Sequence, residues 1–110
     1  MSERAQRIGL NEAVFRAVNE EIEALADRFG LKGETLDLIC ECGIASCAER
    51  IQVSDEDYVA LRADARTFAI VPGHEFPDVE VVVEERPGYH VVMKKDGEPA
   101  RIAERTDPRS

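Results

Sequence analysis

The residues with the most distinctive chemistry are the cysteines and one of the histidines. All three cysteines lie close together, in Cys40-Glu41-Cys42-Gly43 and at Cys47, and His74 follows a Pro-Gly pair further along. Three thiolates and an imidazole are the number and type of ligands in a closed tetrahedral zinc site, and soft sulfur donors favour zinc over magnesium or calcium. We therefore predict a zinc site formed by Cys40, Cys42, Cys47 and His74. Because four protein ligands leave no position for water, this zinc would stabilise the fold, and we assign no catalytic residue.

Two other uses of the cysteines stay open. If His74 is not a ligand, a three-cysteine site keeps a free position, with Glu41 or Glu75 as a base. Alternatively, Cys40 and Cys42 form a redox pair, since a thiolate that attacks a disulfide needs a nearby resolving thiol. Thioredoxin-type pairs, however, are C-x-x-C at a helix start, whereas this pair lies in a predicted strand beside Glu41, which would raise a thiol pKa. We expect Glu41 and Glu75 to be solvated carboxylates, and metal-free thiols to be inert and buried.

A strand over residues 35–42 would position the first two cysteines. Leu36, Leu38, Cys40 and Cys42 share one face of it by the period of two, so both sulfurs can point at one ion. Gly43 then allows the positive φ that a turn back over a metal requires, and residues 44–46 return Cys47 to the same place.

The first long element is an amphipathic helix with Asn11 as its N-cap and Gly30 at its end. Its apolar stripe comprises Val14, Phe15, Val18, Ile22, Leu25, Ala26 and Phe29, and its polar face carries Arg16, Asn19, Glu20, Glu23 and Asp27. We expect the stripe to pack on the domain's own sheet and the polar face to be wet. Pairing of the stripe with a second copy, as a homodimer, is the alternative.

The remaining elements are short. Ser54 and Asp57 form a capping-box pattern at the start of a helix, and Pro87-Gly88 supplies the turn of a hairpin in which His90 lies across from Glu80 or Glu84. The predicted segments are a strand over 50–53, a helix over 55–63, a strand over 67–71, the hairpin over 79–94 and a short helix over 100–105.

Length and charge limit the protein classes. The 110 residues fit a single domain over 1–110, in which we expect residues 1–10 to be frayed and 106–110 to be a flexible tail. A net charge of −9 argues against a nucleic-acid partner, because binding to phosphates depends on clustered Lys and Arg. The chain has no run of about 20 apolar residues and no secretory signal. We therefore expect a cytoplasmic protein without a membrane partner.

Several short motifs together resemble a family of small actinobacterial-type proteins with no assigned activity. These motifs are N-E-x-x-F-R (Asn11-Glu12, Phe15-Arg16), C-x-C-G with a third Cys, Y-x-x-x-R (Tyr58, Arg62), F-x-x-x-P-G-H (Phe68, Pro72–His74) and a closing D-P-R (Asp107–Arg109). The resemblance implies that the elements belong to one domain, and it agrees with grouping the three cysteines with His74.

The predicted fold is α+β: a long N-terminal helix packed on a small, mainly antiparallel sheet of about four or five strands, with a zinc-knuckle-like Cys turn. The predicted function is a zinc-stabilised, non-catalytic interaction or regulatory module. It would bind a protein partner through its acidic helix face or an exposed sheet edge. The alternative is a thiol-based redox sensor, or a small metal- or thiol-dependent enzyme that uses the same cysteines.

Overall fold

The computed structural model describes residues 3–31 and 33–109, and it confirms the α+β class. Met1 and Ser2 of the predicted frayed segment and Ser110 of the predicted tail lie outside the described residues. The elements in chain order are α1 (Glu3–Arg28), β1 (Thr35–Ile39), β2 (Arg50–Ser54), α2 (Asp55–Arg62), β3 (Thr67–Ile70), β4 (Glu80–Arg86), β5 (Tyr89–Lys94) and α3 (Glu98–Arg105). None of the helices in this part of the chain has the length and apolar character needed to cross a membrane.

The strands form two small antiparallel sheets instead of one. One pairs β1 with β2, and the other has the order β3-β5-β4. The predicted strand over 35–42 leaves the ladder after Ile39, because the next residues turn towards the second sheet, where the Glu41 N–H donates to the Ala69 carbonyl over 2.8 Å. The cysteine segment therefore joins the two sheets.

The hairpin of β4 and β5 contains a bulge that changes the predicted pairing of His90. The register shifts between Val82 and Glu84, so that His90 lies opposite Glu85 and not opposite Glu80 or Glu84. A bulge places two residues of one strand opposite one of its partner, which moves every later pair by one position. Short-range sequence patterns do not reveal such a shift.

Helix α1 begins earlier than its sequence predicts. Residues 3–10, expected to be frayed, lie in its first turns, and Asn11 is an interior residue whose amide donates to the Gly43 carbonyl over 3.0 Å. Its end matches the prediction: Gly30 has φ +73°, and the Leu31 N–H donates to the Ala26 carbonyl over 2.8 Å. This pairing is a Schellman motif, which satisfies carbonyls at the helix end.

Most of the face of α1 that packs on the domain differs from the predicted one. Its buried residues are Ile8, Gly9, Glu12, Arg16 and Asn19, whereas Val14, Val18, Leu25 and Phe29 of the predicted packing stripe are exposed. Ile22 and Ala26 of the same stripe are partly buried against the core, as predicted. The prediction that the whole stripe covers the sheet and that Arg16 and Asn19 face water is therefore wrong. The physical reason is that the interior supplies polar partners for these side chains, and buried polar groups are stable only when they are paired.

One such set of partners lies around Lys94. The buried Lys94 ammonium donates to Glu12 over 2.6 Å and to Glu80 over 2.8 Å. Burial and then the Glu80 carboxylate raise the pKa of Glu12 well above its ordinary value, against the opposing attraction of Lys94. Two carboxyl groups thus share one buried cation between α1 and the hairpin.

A second set surrounds Arg16. Its guanidinium donates to the Ala65 carbonyl over 2.7 Å and to the Ala103 carbonyl over 2.9 Å, and it lies 4.7 Å from the Phe68 ring centroid. Arg16 also donates to the Thr106 hydroxyl over 2.9 Å. These contacts tie α1 to α3 and to β3, because one guanidinium fork can donate to several carbonyls at once.

The C-terminal residues that we predicted to be flexible contact α1. The Arg109 guanidinium pairs with Glu20 over 2.7 Å and with Glu23 over 3.3 Å. Residues 106–109 therefore lie against the first helix in the structure.

Candidate metal centre

The three cysteines and His74 come together at the junction of the two sheets. Their ligand atoms, one from each residue, all lie within 4.8 Å of one another. Cys40 and Cys42 follow β1, Cys47 precedes β2, and His74 follows β3. The pairing of β1 with β2 brings Cys47 to the other cysteines, and the contact of the cysteine segment with β3 brings in His74, which is 34 positions from Cys40.

Two sulfur–nitrogen distances within this Cys3His cluster match tetrahedral coordination. Zinc–sulfur bonds of about 2.3 Å and zinc–nitrogen bonds of about 2.1 Å, held at the tetrahedral angle, place sulfur and nitrogen about 3.6 Å apart. The His74 Nδ1 atom lies 3.6 Å from the Cys40 sulfur and 3.7 Å from the Cys47 sulfur. A sulfur and a ring nitrogen at these distances can share one ion, so the cluster is close enough to hold a metal.

Backbone N–H groups point at the sulfurs. The Val71 N–H donates to the Cys40 sulfur over 3.1 Å. The backbone amides of Ile44 and Glu49, each two residues beyond a cysteine, act to lower the pKa of Cys42 and of Cys47 respectively. Such bonds stabilise negative charge on sulfur, and hydrogen bonds around the ligands orient a metal site.

The thiols influence one another because they are close and mostly buried. A hydrogen bond from Cys40 lowers the pKa of Cys42 to about 5, and the same bond, together with burial, raises the pKa of Cys40. Burial also raises the pKa of Cys47. Because a metal ion binds thiolates, its binding would displace the protons that the raised pKa values keep on Cys40 and Cys47.

His74 is presented by a tight turn. Residues Val71-Pro72-Gly73-His74 form a β-turn in which the His74 N–H donates to the Val71 carbonyl over 3.0 Å and Gly73 has φ +93°. Proline at the second and glycine at the third position are the residues that a type II turn requires. The ring Nδ1 faces the sulfurs, and Nε2 lies 3.1 Å from the Glu49 carboxylate.

Glu49 is a residue that the sequence pattern did not indicate. A carboxylate that accepts from the second ring nitrogen fixes the tautomer and the orientation of a metal-binding histidine. Glu49 lies two residues after Cys47, but it is separated from His74 by 24 intervening residues of sequence. Only the fold shows this pair.

Gly43 has a different role from the predicted one. Its φ is not positive; the glycines with positive φ are others. A Cβ atom at position 43 would lie 2.5 Å from Cγ2 of Ile8 and 3.1 Å from Cε2 of Phe76. Gly43 is therefore required because α1 and Phe76 approach the backbone closely, and the prediction of a positive φ is wrong.

Glu41 is buried and paired, so the prediction of a solvated carboxylate is wrong for this residue. Arg62 donates to it through two nitrogens, over 3.0 and 2.8 Å, and Asn19 donates over 2.8 Å. The Ala69 N–H adds a fourth bond of 3.1 Å. Since alternate residues of an extended segment point to opposite sides, the cysteines on either side of Glu41 face the cluster while Glu41 faces the interior.

Asn19 connects α1 to the same segment. Its amide oxygen accepts from the Ile39 N–H over 2.9 Å, and its amide nitrogen donates to the Ile39 carbonyl over 2.8 Å. The side chain thereby occupies the hydrogen-bonding positions of a neighbouring strand at the point where β1 ends. Together, Asn19 and Glu41 fix the backbone on both sides of Cys40.

The other base suggested by the sequence, Glu75, is not part of the Cys3His cluster. It is half-buried, and within the described residues its Oε1 atom has no hydrogen-bond partner. Two clefts lie elsewhere. One, of about 220 Å³, lies between α2 and the hairpin, and the other, of about 330 Å³, lies beside the end of α1. Neither is lined by a cysteine or by His74.

The fold and the site define a small α+β domain with a Cys3His cluster that is close enough to hold a metal ion. Comparison with protein-family models, with curated proteins and with solved structures gives no match. The resemblance to the actinobacterial-type family stays a prediction, and function has to be argued from the site itself.

Proposed function

We propose that this chain is a zinc-stabilised, non-catalytic interaction or regulatory module of the cytoplasm, with Cys40, Cys42, Cys47 and His74 as the zinc ligands. The observation that carries the proposal is the arrangement of the ligand atoms, within 4.8 Å of one another and with sulfur–nitrogen distances of 3.6 and 3.7 Å. Sulfur and imidazole donors in this number select zinc among the common divalent ions.

A structural role for the ion follows from the completeness of the ligand set. Four protein ligands satisfy tetrahedral zinc, so no position is left for a water or a substrate. The Cys40 and Cys42 side chains are also buried, and the clefts described above lie away from the Cys3His cluster. In a domain of 110 residues, a metal adds stability that a small core supplies only in part.

The surface supports an interaction role. The chain has a net charge of −9, which favours a basic protein partner. Strand β4 is an edge of its sheet, and its side chains Val81 and Val83 are exposed. An exposed edge offers unpaired backbone groups for strand addition by a partner.

The second candidate function is a thiol-based redox sensor, or a small metal- or thiol-dependent enzyme. The observation that favours it is the lowered pKa of Cys42, about 5, which keeps a thiolate at neutral pH when no metal is bound. Against it, the sulfurs of Cys40 and Cys42 are buried, and oxidants react with accessible thiolates.

Native mass spectrometry tests the proposal directly. The protein is purified without added metal or chelator and measured before and after denaturation. We expect one zinc per folded chain, lost on denaturation, and loss of zinc in Cys42→Ser. His90→Ala is the matched control, since His90 is the half-buried histidine outside the cluster and its variant should keep the metal.

Thiol labelling separates the two candidates. Zinc-bound thiolates should resist alkylation at neutral pH until a chelator is added, whereas a redox cysteine should react without one. A folded, metal-free chain in which all three thiols can be titrated would disprove the zinc proposal.

A further inference from the structure

The outer face of α1 carries an apolar stripe that no residue in the described part of the chain covers. Its exposed side chains are Leu10 (49%), Val14 (60%), Val18 (42%), Leu25 (46%) and Phe29 (74%), the last just beyond the end of the helix. The residues that bury α1 on the domain, among them Glu12, Arg16 and Asn19, lie on the opposite side of the helix. At 100° per residue the two faces are about 150° apart. This helix therefore buries charged and amide side chains against its domain while several of its large apolar side chains face solvent.

The stripe is as large as the largest apolar patch of a typical monomer. If a fully exposed aromatic or large aliphatic side chain presents roughly 150–250 Å², the exposed fractions amount to about 500 Å² per copy. The largest apolar patch on a typical monomer covers about 300–600 Å² and is often a binding surface. Leu10, Val14 and Val18 carry about half of this area, so two copies that face each other over these three residues form a small interface and a weak dimer.

Charge within the stripe indicates which molecule covers it. Arg7 and Glu21 are exposed and lie on the same face as Leu10, Val14 and Val18. Position 14 is the midpoint: Arg7 and Glu21 are each seven residues from it, and Leu10 and Val18 are each four residues from it. Within the described residues, neither Arg7 nor Glu21 forms a salt bridge in its own chain. The two opposite charges are therefore arranged symmetrically about one valine.

We propose that the stripe binds a second copy of this chain, with the two α1 helices antiparallel and crossing at Val14. A two-fold axis there places Val14 against Val14 of the second copy. It also forms two pairs of Leu10 with Val18 and two pairs of Arg7 with Glu21. A parallel pair would instead place Arg7 beside Arg7 and Glu21 beside Glu21, and like charges in an interface are repulsive. The interface is isologous, so it closes as a dimer.

This dimer is independent of the proposed metal, since no ligand of the cluster lies on the outer face of α1. Native mass spectrometry reports zinc content and subunit count in the same spectrum, so the failure of one proposal is distinguishable from the failure of the other. A zinc-loaded monomer would overturn only the dimer, and a metal-free dimer would overturn only the zinc site.

The test is sedimentation velocity on the metal-loaded protein from about 1 to about 100 µM, where modest interfaces associate. We expect a dimer that Val14→Glu weakens about a hundredfold or more, because two carboxylates then meet at the axis. Val83→Glu is the matched control: Val83 is also exposed (50%) but lies on β4, so this variant should stay dimeric. Circular dichroism confirms that both variants are folded.

Charge reversal tests the antiparallel pairing. Arg7→Glu alone and Glu21→Arg alone should each weaken the dimer about tenfold, and the double variant should restore it, because the reciprocal pairs form again with exchanged signs. A monomer at about 100 µM would overturn the proposal and assign the stripe to a different protein. A dimer unaffected by Val14→Glu, or a double variant no tighter than the single variants, would overturn the pairing stated here.

Discussion

Replacing Glu41 with glutamine should destabilise the domain strongly, although this residue is not a metal ligand. Glu41 accepts four hydrogen bonds, two of them from Arg62, whose side chain is 1% exposed. In Glu41→Gln, an amide nitrogen replaces one acceptor oxygen and the Arg62 charge is left unpaired. Removing one partner of a buried ion pair costs about 3–5 kcal/mol. That is a large share of the 5–15 kcal/mol by which domains are usually stable.

Urea denaturation followed by far-UV circular dichroism measures this loss. With about 1–1.5 kcal/mol per molar urea for a small domain, the midpoint should fall by about 2–5 M. Glu85→Gln, a change of the same type at an exposed position, should shift the free energy of unfolding by less than about 0.5 kcal/mol. The double variant Glu41→Gln/Arg62→Met should be more stable than Glu41→Gln, because it removes the unpaired charge.

The metal site should respond to the same change. Glu41 holds the backbone between two proposed ligands, and loss of such a supporting contact typically lowers metal affinity by about 10–100-fold. Competition with a chelator measures the effect at a pH and temperature at which the variant is folded. If the free energy of unfolding of Glu41→Gln were within about 1 kcal/mol of that of the unaltered chain, and its zinc affinity were unchanged, the reasoning would be refuted. The ion pair would then not hold the segment.

Three further changes test other contacts. His74→Ala should lower the midpoint of thermal unfolding about as much as Cys42→Ala, whereas His90→Ala should leave it nearly unchanged; a harmless His74→Ala would remove this residue from the ligand set. Glu12→Gln should flatten the pH dependence of stability. A carboxyl whose pKa is raised by folding makes the folded chain bind more protons than the unfolded chain. The unaltered chain therefore loses stability as pH rises from the ordinary glutamate range, by up to about 1.4 kcal/mol per pH unit. The same change of the urea midpoint between pH 5 and 8 in both proteins would contradict this. Gly43→Ala should cost about 1–3 kcal/mol of unfolding free energy, because its Cβ would lie 2.5 Å from Ile8, and an unchanged midpoint in urea would show that the helix can move away.

The sequence predicted the local elements well where a short-range rule determines them. Ser54 accepts from the Asp57 N–H over 3.1 Å as the N-cap of α2, and Gly88 has φ +88° in the predicted hairpin turn. Capping residues and turn glycines act within three or four positions, so the printed sequence contains the whole interaction. The grouping of the cysteines with His74 was also predictable, because few side chains other than thiols and imidazoles suit such a site.

The orientation of α1 was not predictable by the same means. Its apolar residues recur with helical spacing, and the usual inference is that they face the core. This inference fails because Glu12, Arg16 and Asn19 find buried partners whose positions depend on the whole fold. A signal was nevertheless present: the motif N-E-x-x-F-R placed two charged residues at i and i+4 of one helix face. Two charged residues at that spacing are as consistent with a buried face, on which both are paired, as with a solvent-exposed face.

The polar interior and the Cys3His cluster depend on each other. The extended segment around Glu41 has thiols on one side and a carboxylate on the other, so neither side is stable without charge compensation. Arg62 neutralises the carboxylate, and the proposed zinc neutralises the thiolates. Asn19 fixes the same segment to α1. A helix that uses its polar residues for this purpose is left with its apolar residues facing outward. The same helix thus holds the metal-binding segment through Asn19 on its inner face and carries the proposed dimer interface on its outer face, which is why a change on one face should leave the other intact.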